Sequence, residues 1–127
     1  MTTLATTTAI AKTLGHGGRL RLLAMLRHGP LSVCQMAAVL DAPVSTVSGH
    51  LLELRRAELV VERRKGKWVY YGLTDSQAVR ALLGPVLAAI ADDPDVQRDA
   101  AKAAALHGTS PAAFCDAAAA NAPQVRP

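Results

Sequence analysis

Two sets of residues in this sequence can do chemistry, and neither looks like a catalyst. The first is a pair of cysteines, Cys34 and Cys115, the only thiols in 127 residues. Soft thiolates select trivalent arsenic and antimony, Cd, Pb or Cu(I) over hard cations. They can also be oxidised to a disulfide or capped as a persulfide. Two thiolates suffice for a trivalent organoarsenical with two exchangeable bonds, whereas arsenite prefers three donors. Cys34 reads equally well as a small buried hydrophobe, a common fate of free cysteine, and Cys115, beside Phe114, as a core or bystander residue.

The second set is a polar stripe, Ser45, Thr46, Ser48, Gly49, His50 and Arg56, followed by the basic run Arg63, Arg64, Lys65 and Lys67. Hydroxyls and an imidazole hydrogen-bond base edges or phosphates, and Gly49 leaves room for close approach. Arginines and lysines neutralise phosphates and make affinity salt-dependent. Taken alone, the hydroxyls are ordinary caps and solvent-facing groups, and the basic run a solubilised turn. His16, His28, His50 and His107 lack the i, i+4 pairing of a helical zinc site. Ser48-Gly49-His50 is no triad, and Asp92-Asp93 reads as a helix-end loop. An enzyme is not expected.

These groups need elements to hold them. Val44, Val47, Leu51 and Leu54 form one apolar stripe, so Val44–Ala57 is expected to be a helix with the polar set on its opposite face. Before it, Leu31–Leu40 has helical spacing, and Asp41-Ala42-Pro43 makes a tight turn between the two. That pair is a helix-turn-helix. Leu59–Arg63 and Trp68–Leu73 then change to a strand pattern around Arg64-Lys65-Gly66-Lys67, a β-hairpin with a basic tip. Both tyrosines and the single tryptophan lie on its second strand. A weak helix over Thr2–Leu14, a short one over Arg19–Arg27 and an apolar one from Thr74 to Ala91 complete the body. Alanine-rich segments Asp95–Leu106 and Ser110–Ala120 follow.

The expected architecture is mainly α with a small β-hairpin, a winged helix-turn-helix. Residues 1–93 form the DNA-binding and dimerisation domain and residues 94–127 an alanine-rich helical tail. The length fits one domain. Hydrophobic residues make up 50% of the chain and charged ones 19%, enough for a packed core without wholesale disorder. Net charge is +4, with ten Lys/Arg against four Asp/Glu up to residue 73 and four against six beyond. The anionic partner therefore belongs to the first part, and duplex DNA suits it. No apolar run reaches the ~18 residues of a membrane span. The first residues carry no basic leader with a long apolar stretch, so a cytoplasmic protein is expected.

The sequence resembles the ArsR/SmtB family of small metal-sensing repressors over Leu14–Leu73. The resemblance runs through Arg19-Leu20-Arg21-Leu22-Leu23, Leu31-Ser32-Val33-Cys34-Gln35-Met36-Ala37, Ser45-Thr46-Val47-Ser48-Gly49-His50-Leu51 and Gly66-Lys67-Trp68-Val69-Tyr70-Tyr71. It implies a homodimer through the first helix and the Thr74–Ala91 helix, bound to double-stranded operator DNA until an inducer arrives. Arsenic-type members carry Leu-Cys-Val-Cys-Asp-Leu where this chain has Leu31-Ser32-Val33-Cys34-Gln35-Met36, so one of two thiols is a serine. The zinc-type site on the last dimer helix is not expected, because Thr74–Ala91 holds Asp75 but no histidine. The implied inducer is a trivalent arsenical or soft metal ion on Cys34 and Cys115, with Ser32, His16 or His107 as candidate helpers and no organic cofactor. A redox- or persulfide-responsive repressor using the same thiols stays open beside it, as does a winged helix that binds protein.

Overall fold

In the computed structural model, residues 3–107 are described. The chain runs α1 (Leu4–Leu14), α2 (Gly17–Leu26), β1 (Leu31–Ser32), α3 (Val33–Leu40), α4 (Val44–Arg56), β2 (Val60–Lys65), β3 (Trp68–Leu73), α5 (Gln77–Ala89) and α6 (Pro94–Leu106). This is the winged helix-turn-helix, with α3 and α4 as the helix pair and β2–β3 as the wing.

Local chemistry explains most boundaries. Thr3 caps α1 by accepting from Thr6 N–H. The helix expected from Arg19 begins at Gly17, because Nδ1 of His16 accepts Gly18 N–H at 3.0 Å and serves as its cap. Ser32 caps α3 through a capping box with Gln35, each side chain satisfying the other's backbone N–H. That cap moves the expected start at Leu31 to Val33 and frees Leu31 and Ser32 to pair with Tyr71 and Tyr70. The sheet therefore has three strands, in the order β1-β3-β2, where the sequence suggests a two-stranded hairpin. Asp41 closes α3 in the left-handed region, φ 52°. Ser76 caps α5, and Asp93 caps α6 by accepting from Asp95 and Val96 N–H.

The wing is longer and its turn tighter than expected. Arg64 and Lys65 belong to β2, and Lys65 pairs with Trp68, leaving Gly66 and Lys67 as the turn. Gly66 has φ +62°, a conformation a side chain resists and two-residue hairpin turns require.

The core is leucine-rich, as the composition demands. Leu22, Leu23 and Met25 of α2 meet Met36 and Val39 of α3, Val47, Leu51 and Leu54 of α4, and Leu83 and Leu87 of α5. The predicted α4 stripe is the buried one, and each such leucine contributes about 1.5–3 kcal/mol. Helix α6 packs on α2 and α3, where Asp99 and Ala103 are fully buried. Ser110–Ala120 lies outside the described residues. Among the described residues, no helix is long and apolar enough to cross a membrane.

Candidate functional site

Helix α4 turns its apolar stripe inward and so presents the opposite face. Ser45, Thr46, Ser48 and Gly49 are exposed, and His50 is half-buried at the edge of that face. None of the three hydroxyls caps the helix, which starts after Pro43 without a side-chain cap. A Cβ built on Gly49 would meet nothing within 4 Å, so the surface there is open. At the far end, Arg56 pairs with Glu53 at 3.1 Å.

The wing brings the cations alongside. Arg55 reaches Glu62 at 3.1 Å, which also accepts from the Tyr71 hydroxyl at 3.2 Å, tying α4 to β2 and β3. Burial and the Glu62 carboxylate hold the Tyr71 hydroxyl above its ordinary pKa, so it stays a donor. Arg63 donates to both Asp75 oxygens, at 2.9 and 3.2 Å. Among the described residues Arg64, Lys65 and Lys67 have no carboxylate partner. Lys67 stands 5.3 Å over the Trp68 ring, a cation–π contact at the wing tip. Exposed hydroxyls on one helix and unpaired cations on the adjacent hairpin suit a duplex groove and the phosphates beside it.

Sequence reading did not anticipate the surroundings of His50. Its ring lies 4.5 Å from that of His16, and Arg19 Nε donates to its Nδ1 at 3.4 Å. Burial first, then the charges of His16 and Arg19, hold His50 below the ordinary histidine pKa. With Nδ1 accepting from arginine, the neutral ring carries its hydrogen on Nε2. His16 is likewise held, as a helix cap through its Nδ1.

The thiol set is only partly described. Cys34 is half-buried in the first turn of α3 and is disulfide-bonded. In that state its sulfur offers no thiolate. Cys115 lies outside the described residues. Ser32, a candidate helper, is buried and committed to the α3 cap. His107 follows α6 and rests against Gly29; a Cβ on Gly29 would come 2.9 Å from its Cε1. Among the described residues, no three His, Cys, Asp or Glu side chains form a group able to hold a metal.

Comparison with known proteins places this geometry in context. Residues 16–61 match the family model described as bacterial regulatory protein, arsR family. The arsenic resistance transcriptional regulator ArsR1 of Pseudomonas putida is 38% identical over 74 residues, covering 58% of each chain. The HTH-type transcriptional regulator CmtR of Mycobacterium bovis is 38% identical over 103 residues, covering 79% of this chain and 87% of that one. Against several other curated relatives the chain spans only about half of their length. Among solved structures, the homodimeric winged helix-turn-helix DNA-binding domain of a possible ArsR-family regulator of Mycobacterium bovis superposes with a TM-score of 0.63. Its identity is 27%, covering 72% of this chain and 83% of that one.

Proposed function

Because the chain belongs to the arsR family of bacterial regulatory proteins, we propose that it is a homodimeric transcriptional repressor whose hold on operator DNA is set by the state of Cys34. The observation that carries the DNA reading is the exposed Ser45, Thr46, Ser48, Gly49 face of α4 beside Arg64, Lys65 and Lys67, which have no carboxylate partner among the described residues. In a dimer, two copies of α4 enter successive major grooves about 34–36 Å apart, and the wings meet the flanking phosphates. Exposed apolar side chains on the expected dimer helices support the pairing: Leu4 on α1 is 85% exposed and Leu82 on α5 is 36% exposed.

In the first reading of the signal, the reduced thiolates of Cys34 and Cys115 take a trivalent arsenical or other soft ligand. The relatives named for arsenic resistance favour it. In the second, oxidation of Cys34 is itself the signal, and the disulfide on that residue favours it. Either way the effect is a coupling free energy between thiol and operator, typically 1–3 kcal/mol.

Fluorescence anisotropy on the chain's own upstream DNA, at fixed salt, tests both. Starting from reduced protein, arsenite, a trivalent organoarsenical and peroxide are titrated against wild type and Cys34→Ser. Release by a metalloid that vanishes in Cys34→Ser supports the thiolate sensor. Release by peroxide alone supports the redox reading. Tight operator binding indifferent to all three keeps the repressor and removes Cys34 from signalling.

A further inference from the structure

An open cavity of about 470 Å³ lies between the wing and the end of α6. Its lining includes Arg63, Arg64 and Lys65 of the wing together with Leu31, Leu106 and His107. The strand register explains two of the three cations. Arg63 pairs with Tyr70 and Lys65 with Trp68, so these four emerge on one face of the sheet, while Val60 and Leu73 turn to the core on the other. Among the described residues, no Asp or Glu lines the cavity; Arg63 meets its carboxylate, Asp75, outside it.

His107 adds an independent sign. Its Nε2 is buried and has no hydrogen-bond partner among the described residues, an uncommon state for a buried polar atom in a folded protein. His107 is also one of the residues that line the cavity. The rest of the lining is mixed, with apolar surface from Pro30, Leu31 and Leu106 beside Gln35 and Tyr70. A volume of this size matches small-molecule sites, which pair apolar walls with a few polar anchors.

We propose that this cavity binds a small organic anion, a carboxylate or phosphate ester with an apolar body. The charge lies between Lys65 and the His107 imidazole, and the body against Leu31 and Leu106. The backbone of a duplex is a poorer occupant, because it cannot bring an apolar body against those leucines. Occupancy draws Lys65 away from operator phosphates and weakens DNA binding. That last consequence rests on the repressor reading; the binding itself does not.

Trp68, the single tryptophan and the register partner of Lys65, is the reporter. The full chain is titrated at constant ionic strength with benzoate, phenyl phosphate, inorganic phosphate and neutral benzyl alcohol. The expected result is saturable change at millimolar concentration or below with benzoate or phenyl phosphate, weaker change with inorganic phosphate and none with benzyl alcohol. His107→Ala and the surface variant Lys65→Ala each weaken binding roughly tenfold, equivalent to about 1.4 kcal/mol. Lys65→Ala keeps the comparison sound if His107→Ala folds poorly. Three results overturn the proposal: no saturable change with any anion, an unchanged response in Lys65→Ala, or inorganic phosphate binding as well as phenyl phosphate. A folded His107→Ala that loses operator affinity without any small anion assigns the imidazole to DNA instead, which also overturns it. Failure of the protein to bind operator at all sinks the repressor reading and leaves the fluorescence result standing.

Discussion

Arg21 and Asp99, 78 residues apart, form a two-pronged ion pair that fastens α6 to α2, with Nε at 2.7 Å and Nη2 at 2.8 Å from the two carboxylate oxygens. The two sides differ in exposure: the Asp99 side chain is 2% exposed and that of Arg21 34%. Removing the arginine strands a buried carboxylate, whereas removing the aspartate leaves a guanidinium that water reaches. Arg21→Ala should therefore cost about 3 kcal/mol and Asp99→Ala about half of that. Urea unfolding of both variants checks the order; equal losses would show that packing, not charge burial, dominates.

His50 makes stability and DNA binding respond to pH in opposite directions. Its folded pKa lies below the ordinary 6.5, so the unfolded chain takes up the proton first. The contribution is fully present above pH 6.5 and is lost as pH falls through the window between 6.5 and the lower folded pKa. Operator phosphates favour the protonated ring, so affinity should rise over the same interval. In His50→Gln both slopes should flatten, as read by melting and by anisotropy from pH 7.5 down to 5 (~2.5 units, bracketing the free imidazole value).

Gly29 is held in a conformation few side chains adopt, φ +141°, with the His107 ring against it. Gly29→Ala should destabilise by roughly 1–2 kcal/mol through backbone strain plus the clash. Adding His107→Ala relieves the clash alone, so the double variant should recover part of the loss. Full recovery in a double-mutant cycle would mean the backbone strain is negligible.

Salt dependence separates the wing from the helix. Lys65→Ala and Lys67→Ala should each flatten the log–log slope of operator affinity against salt by about 0.9. They should weaken specific and non-specific DNA alike. Ser45→Ala and Thr46→Ala should leave the slope intact and lower only the preference for operator, by about 1–3 kcal/mol for a base contact. A Lys67→Ala slope equal to wild type would remove the wing tip from the phosphates.

Much of this architecture is legible without coordinates, because its signals are periodic. The Val44–Leu54 stripe fixes which face of α4 is buried, and Gly66 between β-branched and aromatic runs fixes the wing. What escaped reading depends on partners distant in sequence. Nothing near Asp99 marks it as the carboxylate that meets Arg21. Nothing in Gly15-His16-Gly17-Gly18, three glycines around an imidazole, shows that the imidazole caps the next helix. The third strand escaped because Leu31 and Ser32 have helical spacing, and only the capping box delays the start of the helix until after them. The cysteines were found by their chemistry, but their spacing across 81 residues carries no geometry.

Gln35 carries a consequence of its own. Its Oε1 accepts from Ser32 N–H at 2.9 Å, while its Nε2 reaches the Leu106 carbonyl at 3.5 Å. One amide thus spans the start of α3 and the end of α6, with Cys34 as its chain neighbour. The last turn of α6 cannot shift unless that bond breaks or the first turn of α3 travels with it. Movement at the end of α6 is thereby geared to the helix that seats α4, along a route inside a single protomer.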